Sequence, residues 1–589
     1  MTASVPDKLI LRAAQSPDAL AFMHENAAGG WQAVRWSEFN DQIGLLRRGL
    51  AAAGLRRGDR LALVAPVSLQ WELLHHAALS MGVSVVGLDA HDLPERVASL
   101  CAMSQVAALA VVDDRVLSQL PTTLRPGGLI VIALAAAAQG QDCWTLDRLM
   151  AHAGNVPDPA PAVASDEATV IFTSGTTGAP KGIAYSHAQL CLAIDAISSA
   201  FSFVGVGGRV LCWLPLSNLF QRMVNLAAVQ NGATTYLLGD PRRVMERVAE
   251  VSPDVFIGVP RFYEKLHEGI CHRIAALPAP QRQLAGWAWQ VGRQASRSRQ
   301  AGQTAGWVAQ ARQRLAEHLV LRRIRAVMGT RLRCLVTGSA PMPLALLEDF
   351  DGLGWPILEA YGLSENVLPM AMNRLDDYRL GTVGRPLPAN QITIDGDDIV
   401  RVAGPGVFNG YLGDTPGAER DAQGRYATGD LGHIDADGYL RLTGRSGDLI
   451  KTSTGRRVAP AGVEGTLRGV PGVDQALLVG AGRKLLMAIC TCAPDSLQPV
   501  ARRLALHQAL RSAVTGLNPH ERPAAILLTI DPFTIDAEEL TPNLKLRRAK
   551  IEAARAGQIA WTYQQLTLHS GDGQLLLLDA ADAPPRGKD

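Results

Sequence analysis

The sequence predicts an α/β protein of more than one domain, and three observations carry that prediction. Short apolar runs alternate with helical stretches: LALVAPV, VSVVGLD, ALAVVDD, LIVIAL, ATVIFTS, RVLCWLPL, TTYLLG, VFIGVP and RCLVTGS. That is the pattern of mostly parallel strands buried beneath helices on both faces. From about Gly381 the texture changes to hairpin-like strands, QITIDGDDIVRV and YLRLTGR, with Asp-Gly turns. The chain's 589 residues also exceed what one hydrophobic core serves.

In chain order, the N-terminus MTASVPDKLILRAAQSPD lacks the long apolar stretch of a signal peptide. Leu61 to Ala90 is apolar but interrupted by Pro66, Glu72, His75 and His76. It reads as a buried strand, a helix and a second strand rather than a membrane span. Gln281 to Arg333 holds eleven arginines. These read as solvated helix faces, with a basic surface toward a membrane or an anionic ligand as the second reading. From about Ser446 a smaller α+β segment runs to near Gly557. The residues after it, ending in DAPPRGKD, read as a loose tail.

Hydrophobic residues make up 47% and the net charge is +2, so no global field points to a nucleic-acid partner. Of eight cysteines only Cys490 and Cys492 are close, and C-x-C alone is not a zinc signature. The thiols read as reduced and buried, as in a cytoplasmic protein.

Thr173 to Gly182 is TSGTTGAPKG, poor in packing side chains and rich in hydroxyls and glycines. It follows ATVIF and precedes the helical stretch HAQLCLAIDAISSAF. A strand opening through a glycine-rich loop into a helix predicts phosphate binding by backbone N–H groups, hydroxyls and Lys181. It is not a Walker A loop, because Lys181 lies between Pro180 and Gly182 and no hydroxyl follows it.

The stretch resembles the phosphate loop of the adenylate-forming superfamily, the group of acyl-CoA synthetases, luciferases and peptide-synthetase adenylation domains. Further resemblances follow in that family's order. GSAP at 338–341 resembles the segment against the adenine, EAYGLSE at 359–365 the Y-G-x-T-E motif, and YATGDLGHID at 426–435 the T-G-D motif. LTGRSGDLIK at 442–451 resembles the hinge motif, and LTPNLKLRR at 540–548 the C-terminal lysine motif. LPLSNLFQR at Leu214, GVPRFYEKL at Gly258 and GRRVAPAGVE at Gly455 are most similar to long-chain fatty acyl-CoA synthetases.

The resemblance implies a large adenylate-forming domain over 1–445 that includes a β-barrel-like subdomain, a small mobile domain over 446–557 and a tail over 558–589. It implies ATP, Mg²⁺ and coenzyme A, and activation of a medium- to long-chain fatty acid through an acyl-adenylate. A carrier-protein phosphopantetheine is the alternative acceptor, and a degenerate nucleotide-binding protein is the rival reading. Peripheral contact with the inner face of a membrane is a further expectation. Lys545, Glu365 and Thr173 are implied as catalytic, with Glu365 also holding the metal. Ser174, Gly175, Thr176, Thr177, Gly178 and Lys181 would hold phosphates. Gly338, Ser339, Ala340, Pro341, Glu359, Tyr361, Gly362 and Ser364 would surround the adenine, with Tyr361 stacked on it. Asp430 and Arg445 would hold the ribose, and Asn218 and Gly258 would line the acid site. Two departures stand out: Asn218 replaces the family's histidine, and Gly447 occupies the hinge position.

Overall fold

The computed structural model describes residues 3–26, 28–112, 129–134, 143–173, 180–338, 340–413, 419–540, 546–569 and 575–586. Each of the nine apolar runs contains a strand. One sheet has seven strands in the spatial order Trp144–Thr145, Ile130–Ala133, Ala108–Val111, Arg60–Val64, Ser84–Leu88, Glu167–Thr173, Lys181–Ser186. Every pair in it is parallel except the last. Leu61 to Ala90 is the expected strand, helix and strand: the helix Leu69–Ser80 is capped by Ser68, whose hydroxyl accepts from the Trp71 amide at 3.2 Å. Among the described residues no helix is long and apolar enough to cross a membrane.

A second sheet of nine strands has a parallel centre and antiparallel edges. It includes Arg209–Cys212, Val255–Gly258, Cys334–Thr337 and Ile357–Leu363. The two sheets share one core, in which Trp36, Trp71, Trp355, Phe256 and Phe350 are fully buried. Burial of such a side chain contributes about 1.5–3 kcal/mol. The hairpin texture after Gly381 becomes a four-stranded antiparallel sheet, Gln391–Ile394, Ile399–Ala403, Tyr426–Ile434 and Leu440–Arg445.

Beyond Arg445 a separate core forms around the sheet Val473–Val479, Met487–Cys492, Ala525–Thr529 and Leu576–Asp579. Alternation along the strands loads both faces. Leu478, Ala488 and Ile526 pack under the helices Pro460–Arg468 and Val500–Thr515, while Leu477, Met487 and Leu527 pack with Ile551 and Ile559 on the other side. The expected tail needs correction here. The helix Ala556–Leu568 and the strand Leu576–Asp579 lie in it, and the strand pairs in parallel with Ala525–Thr529 because its apolar run LLLLD completes the sheet edge. The thiols need a second correction: seven are buried, but Cys271 is exposed on its helix.

Candidate active site

The glycine-rich stretch does not open into a helix. Lys181–Ser186 is a strand that folds back on Glu167–Thr173, with Thr173 opposite Lys181. The helix His187–Ala200 starts only afterward, capped by Ser186. Glu167–Thr173 and Lys181–Ser186 are therefore the two arms of an edge hairpin. Ser174, Gly175, Thr176, Thr177 and Gly178 lie outside the described residues. The outer strand exists because distant chain covers it: the Leu412 amide donates to the Gly182 carbonyl at 2.8 Å, and Ile183 bridges Tyr411. A Cβ on Gly182 would fall 2.8 Å from the tip of the Leu412 side chain, which would have to shift to admit it.

Glu365 sits in the tight turn joining Ile357–Leu363 to Asn366–Met372. Its position is fixed from three sides. The Phe408 amide donates to its carbonyl at 2.8 Å, the Tyr185 hydroxyl donates to the carbonyl of adjacent Ser364, and the Tyr411 hydroxyl donates to its Oε1 at 2.8 Å. Lys181 Nζ stands 4.7 Å from the Tyr411 ring centre, a cation–π contact. The Tyr426 hydroxyl is 3.5 Å from that of Tyr411. Burial and the nearby carboxylate hold Tyr185 and Tyr411 above the ordinary phenol range, so both stay donors at neutral pH.

Asp430 is buried on Tyr426–Ile434, opposite Arg445. The Tyr361 hydroxyl donates to its Oδ2 at 2.7 Å and Arg445 Nε to its Oδ1 at 2.8 Å. Its own amide donates to Thr428 Oγ1 at 3.0 Å. Both carboxylate oxygens are thus oriented while retaining lone pairs for further donors.

Gly338 follows the strand Cys334–Thr337 and opens the GSAP segment, with the Ala360 carbonyl 3.3 Å from a would-be Cβ. Ser339 lies outside the described residues, Ala340 and Pro341 are exposed, and the Met342 amide reaches Glu359 Oε1 at 3.4 Å. Burial raises the Glu359 carboxyl to about 7. Gly362 is exposed one residue before the turn. Gly258 closes its strand against the Tyr263 hydroxyl, 3.0 Å from a would-be Cβ. Asn218 caps the helix Leu219–Asn231: its Oδ1 accepts from the Phe220 amide at 2.9 Å, a role for which Asn is well suited. Gly447 is exposed in the short turn Ser446–Asp448, with nothing within 4 Å of a would-be Cβ and φ outside the left-handed region. Lys545 lies outside the described residues; nearby Arg548 makes a bidentate pair with Glu464, both contacts at 2.7 Å.

Sequence reasoning passed over Tyr411 and Tyr185, whose partners lie 46 and 179 residues away in the chain. It also passed over a buried polar knot, although LPLSNLFQR contains part of it. Arg222 donates to Thr169 at 2.7 Å, Asn225 donates to Glu72 Oε1 at 2.6 Å, and His75 and His76 lie 3.7 and 3.8 Å from Glu72 Oε2. Burial lowers both imidazoles, His76 to about 3, so they are neutral.

The chain is similar to known proteins in sequence and in fold. A long-chain-fatty-acid--CoA ligase of Mycobacterium tuberculosis, FadD15, is 29% identical over 565 residues, 91% of this chain and 93% of that protein. A putative fatty-acid--CoA ligase of the same organism, fadD11, is 32% identical over 423 residues, 68% of this chain and 74% of that protein. Two solved structures share the fold. The A-PCP didomain of carboxylic acid reductase from Segniliparus rugosus, with AMP, has a TM-score of 0.72 at 19% identity, covering 96% of this chain and 83% of that one. ATP-bound MatB from Rhodopseudomonas palustris has a TM-score of 0.70 at 20% identity, covering 94% and 99%. The model of the family described as AMP-binding enzyme matches residues 10–412, which contain Lys181, Tyr361, Glu365 and Tyr411, and the chain therefore belongs to that family, the adenylate-forming enzymes.

Proposed function

We propose that the protein is an ATP-dependent ligase that activates a medium- to long-chain fatty acid as its acyl-adenylate and passes the acyl group to the thiol of coenzyme A. The observation that carries this reading is the single connected constellation Lys181–Tyr411–Glu365, with Tyr411 beside Tyr426 on the strand that holds Asp430, whose partner Arg445 lies on the neighbouring strand. It joins a cation and an open carboxylate through Tyr411, with an oriented ribose acceptor on the strand that carries Tyr426. The ligase names of the relatives support the choice of acid.

In the first step an acid oxygen attacks the α-phosphorus, the bond to the bridging oxygen breaks, and pyrophosphate leaves. Lys181 and the loop hydroxyls hold the leaving phosphates, Asp430 accepts from the ribose hydroxyls, and Lys545 offsets charge between carboxylate and α-phosphate. Glu365 fits a Mg²⁺ ion: it is a hard oxygen ligand, half-buried, and among the described residues its Oε2 has no hydrogen-bond partner. That ion would neutralise phosphate charge. In the second step the thiolate attacks the acyl carbon, the carbon–oxygen bond to the phosphate breaks, and AMP leaves. Gly447 serves as the pivot that lets the small domain change pose between steps.

The carboxylic acid reductase likeness, which includes a PCP domain, favours one second reading: transfer to a carrier-protein phosphopantetheine. Incubation with ATP, Mg²⁺ and hexadecanoate, offering coenzyme A or a phosphopantetheinylated carrier, distinguishes the acceptors by the thioester formed. Thioester on neither acceptor, with no pyrophosphate released for any acid, would establish the degenerate nucleotide-binding reading instead.

A further inference from the structure

Nine of the eleven arginines in the arginine-rich segment fall into two sets. Arg293 and Arg297 pair with Glu348, Arg299 with Asp351, Arg325 with Glu317 and Arg331 with Asp254. Arg293, Arg297 and Arg299 thereby tie the helix Ala279–Gln300 to the helix Leu344–Gly352. Arg312, Arg314, Arg322 and Arg323 are exposed, and among the described residues none has an acidic partner. They lie on the helix Trp307–Ala316 and on the helical run that continues through Arg325.

The outward face of Trp307–Ala316 is apolar where a solvated helix is polar. Trp307 is 82% exposed, Leu315 51% and Val308 50%. Helical geometry places Trp307, Ala311, Leu315 and Val308 on one arc of about 100°, with Arg314 beside Trp307 and Arg312 beyond Val308. Ala316, opposite that arc, is fully buried. Ala316 is the one buried residue of this helix, and the exposed remainder presents an aromatic and aliphatic ridge flanked by unpaired guanidiniums. Indole rings prefer the boundary between water and acyl chains, and unpaired arginines next to them match anionic headgroups.

We infer that Trp307–Ala316 docks the protein on an anionic phospholipid bilayer, with Trp307, Val308 and Leu315 entering the headgroup boundary and the four arginines pairing with lipid phosphates. A lipid surface is the occupant that satisfies both halves of the face at once: an acidic protein would leave the indole ridge in water, and an apolar protein would strand the arginines. The inference stands on surface chemistry alone, independent of the reaction proposed above.

The test is sedimentation of the full chain with large unilamellar vesicles of phosphatidylcholine, alone or with about one-third phosphatidylglycerol. Anionic vesicles should carry the protein down, and added salt should release it. Arg312→Gln with Arg314→Gln should weaken binding about 10- to 30-fold, and Trp307→Ser with Leu315→Ser at least about 10-fold, at unchanged Tm. Two pairs of surface substitutions keep the test readable if either pair fails to fold. Wild-type protein that stays in solution with anionic vesicles, or variants that bind like wild type, would overturn the inference. So would equal binding to neutral vesicles, or retention by a protein partner with none by lipid.

Discussion

Tyr411 donates its hydroxyl to Oε1 of Glu365 at 2.8 Å while its ring carries the Lys181 ammonium 4.7 Å from its centre. One tyrosine thereby joins the lysine of the outer hairpin arm to the carboxylate of a distant turn. Tyr411→Phe keeps the ring and removes the donor. A hydrogen bond to a charged group contributes about 1.5–3 kcal/mol, so adenylation should fall about 10- to 100-fold. Glu365→Ala should lose about 10² or more. Acid-dependent pyrophosphate release reads both. A Tyr411→Phe enzyme at the wild-type rate would take the tyrosine out of the site.

Asp430 accepts from Tyr361 and Arg445 at once. Asp430→Asn keeps the shape but turns an amide N–H toward one of those donors and removes the charge that holds Arg445. The KM for ATP should rise about 10-fold or more while the folded state persists in circular dichroism. An unchanged KM would exclude a ribose role.

His267 supplies a pH dependence remote from the site. Burial opposes its charge, but the Asp349 carboxylate at 3.1 Å and the adjacent Cys271 sulfur outweigh it, and the imidazole titrates at about 9. The folded value lies above the unfolded value of about 6.5, so the stabilisation is complete below about pH 6.5 and is lost as pH rises through 9. It should amount to on the order of 2 kcal/mol after screening by solvent. Tm should drop between neutral pH and pH 10 in wild type and drop less in His267→Gln. Parallel curves for the two proteins would mean the pair contributes nothing.

Lys545 and Gly447 divide the two half-reactions. Lys545→Ala should slow acyl-adenylate formation about 10²- to 10³-fold yet convert synthetic acyl-adenylate and coenzyme A to thioester at nearly the normal rate. Gly447→Pro, which fixes φ, should slow one half-reaction more than the other. Equal losses in both halves for Lys545→Ala, or small equal effects for Gly447→Pro, would assign these residues to folding or docking.

The parallel strands were legible because both faces are buried, so ATVIF or RCLV reads as one apolar run. Lys181–Ser186 was not. It is short, begins with Lys-Gly, and becomes a strand because Tyr411 and Leu412 lie along it, a pairing that no local pattern encodes. Leu576–Asp579 was hidden by the polar ending beside it and is a strand because Ala525–Thr529 offers an open edge. In the site, the motif residues were recognisable one by one. The tyrosines that connect them act through tertiary proximity, and nothing in the spacing of Tyr185, Tyr411 and Tyr426 announces that they gather at the turn holding Glu365.

The most direct measurement is exchange of labelled pyrophosphate into ATP with Mg²⁺ and a fatty acid present and every thiol left out. A two-step ligase requires exchange that appears with a medium- or long-chain acid, vanishes without acid, and does not wait for coenzyme A. No exchange with any saturated acid from hexanoate to octadecanoate, or turnover that yields ADP and phosphate in place of AMP and pyrophosphate, would contradict it.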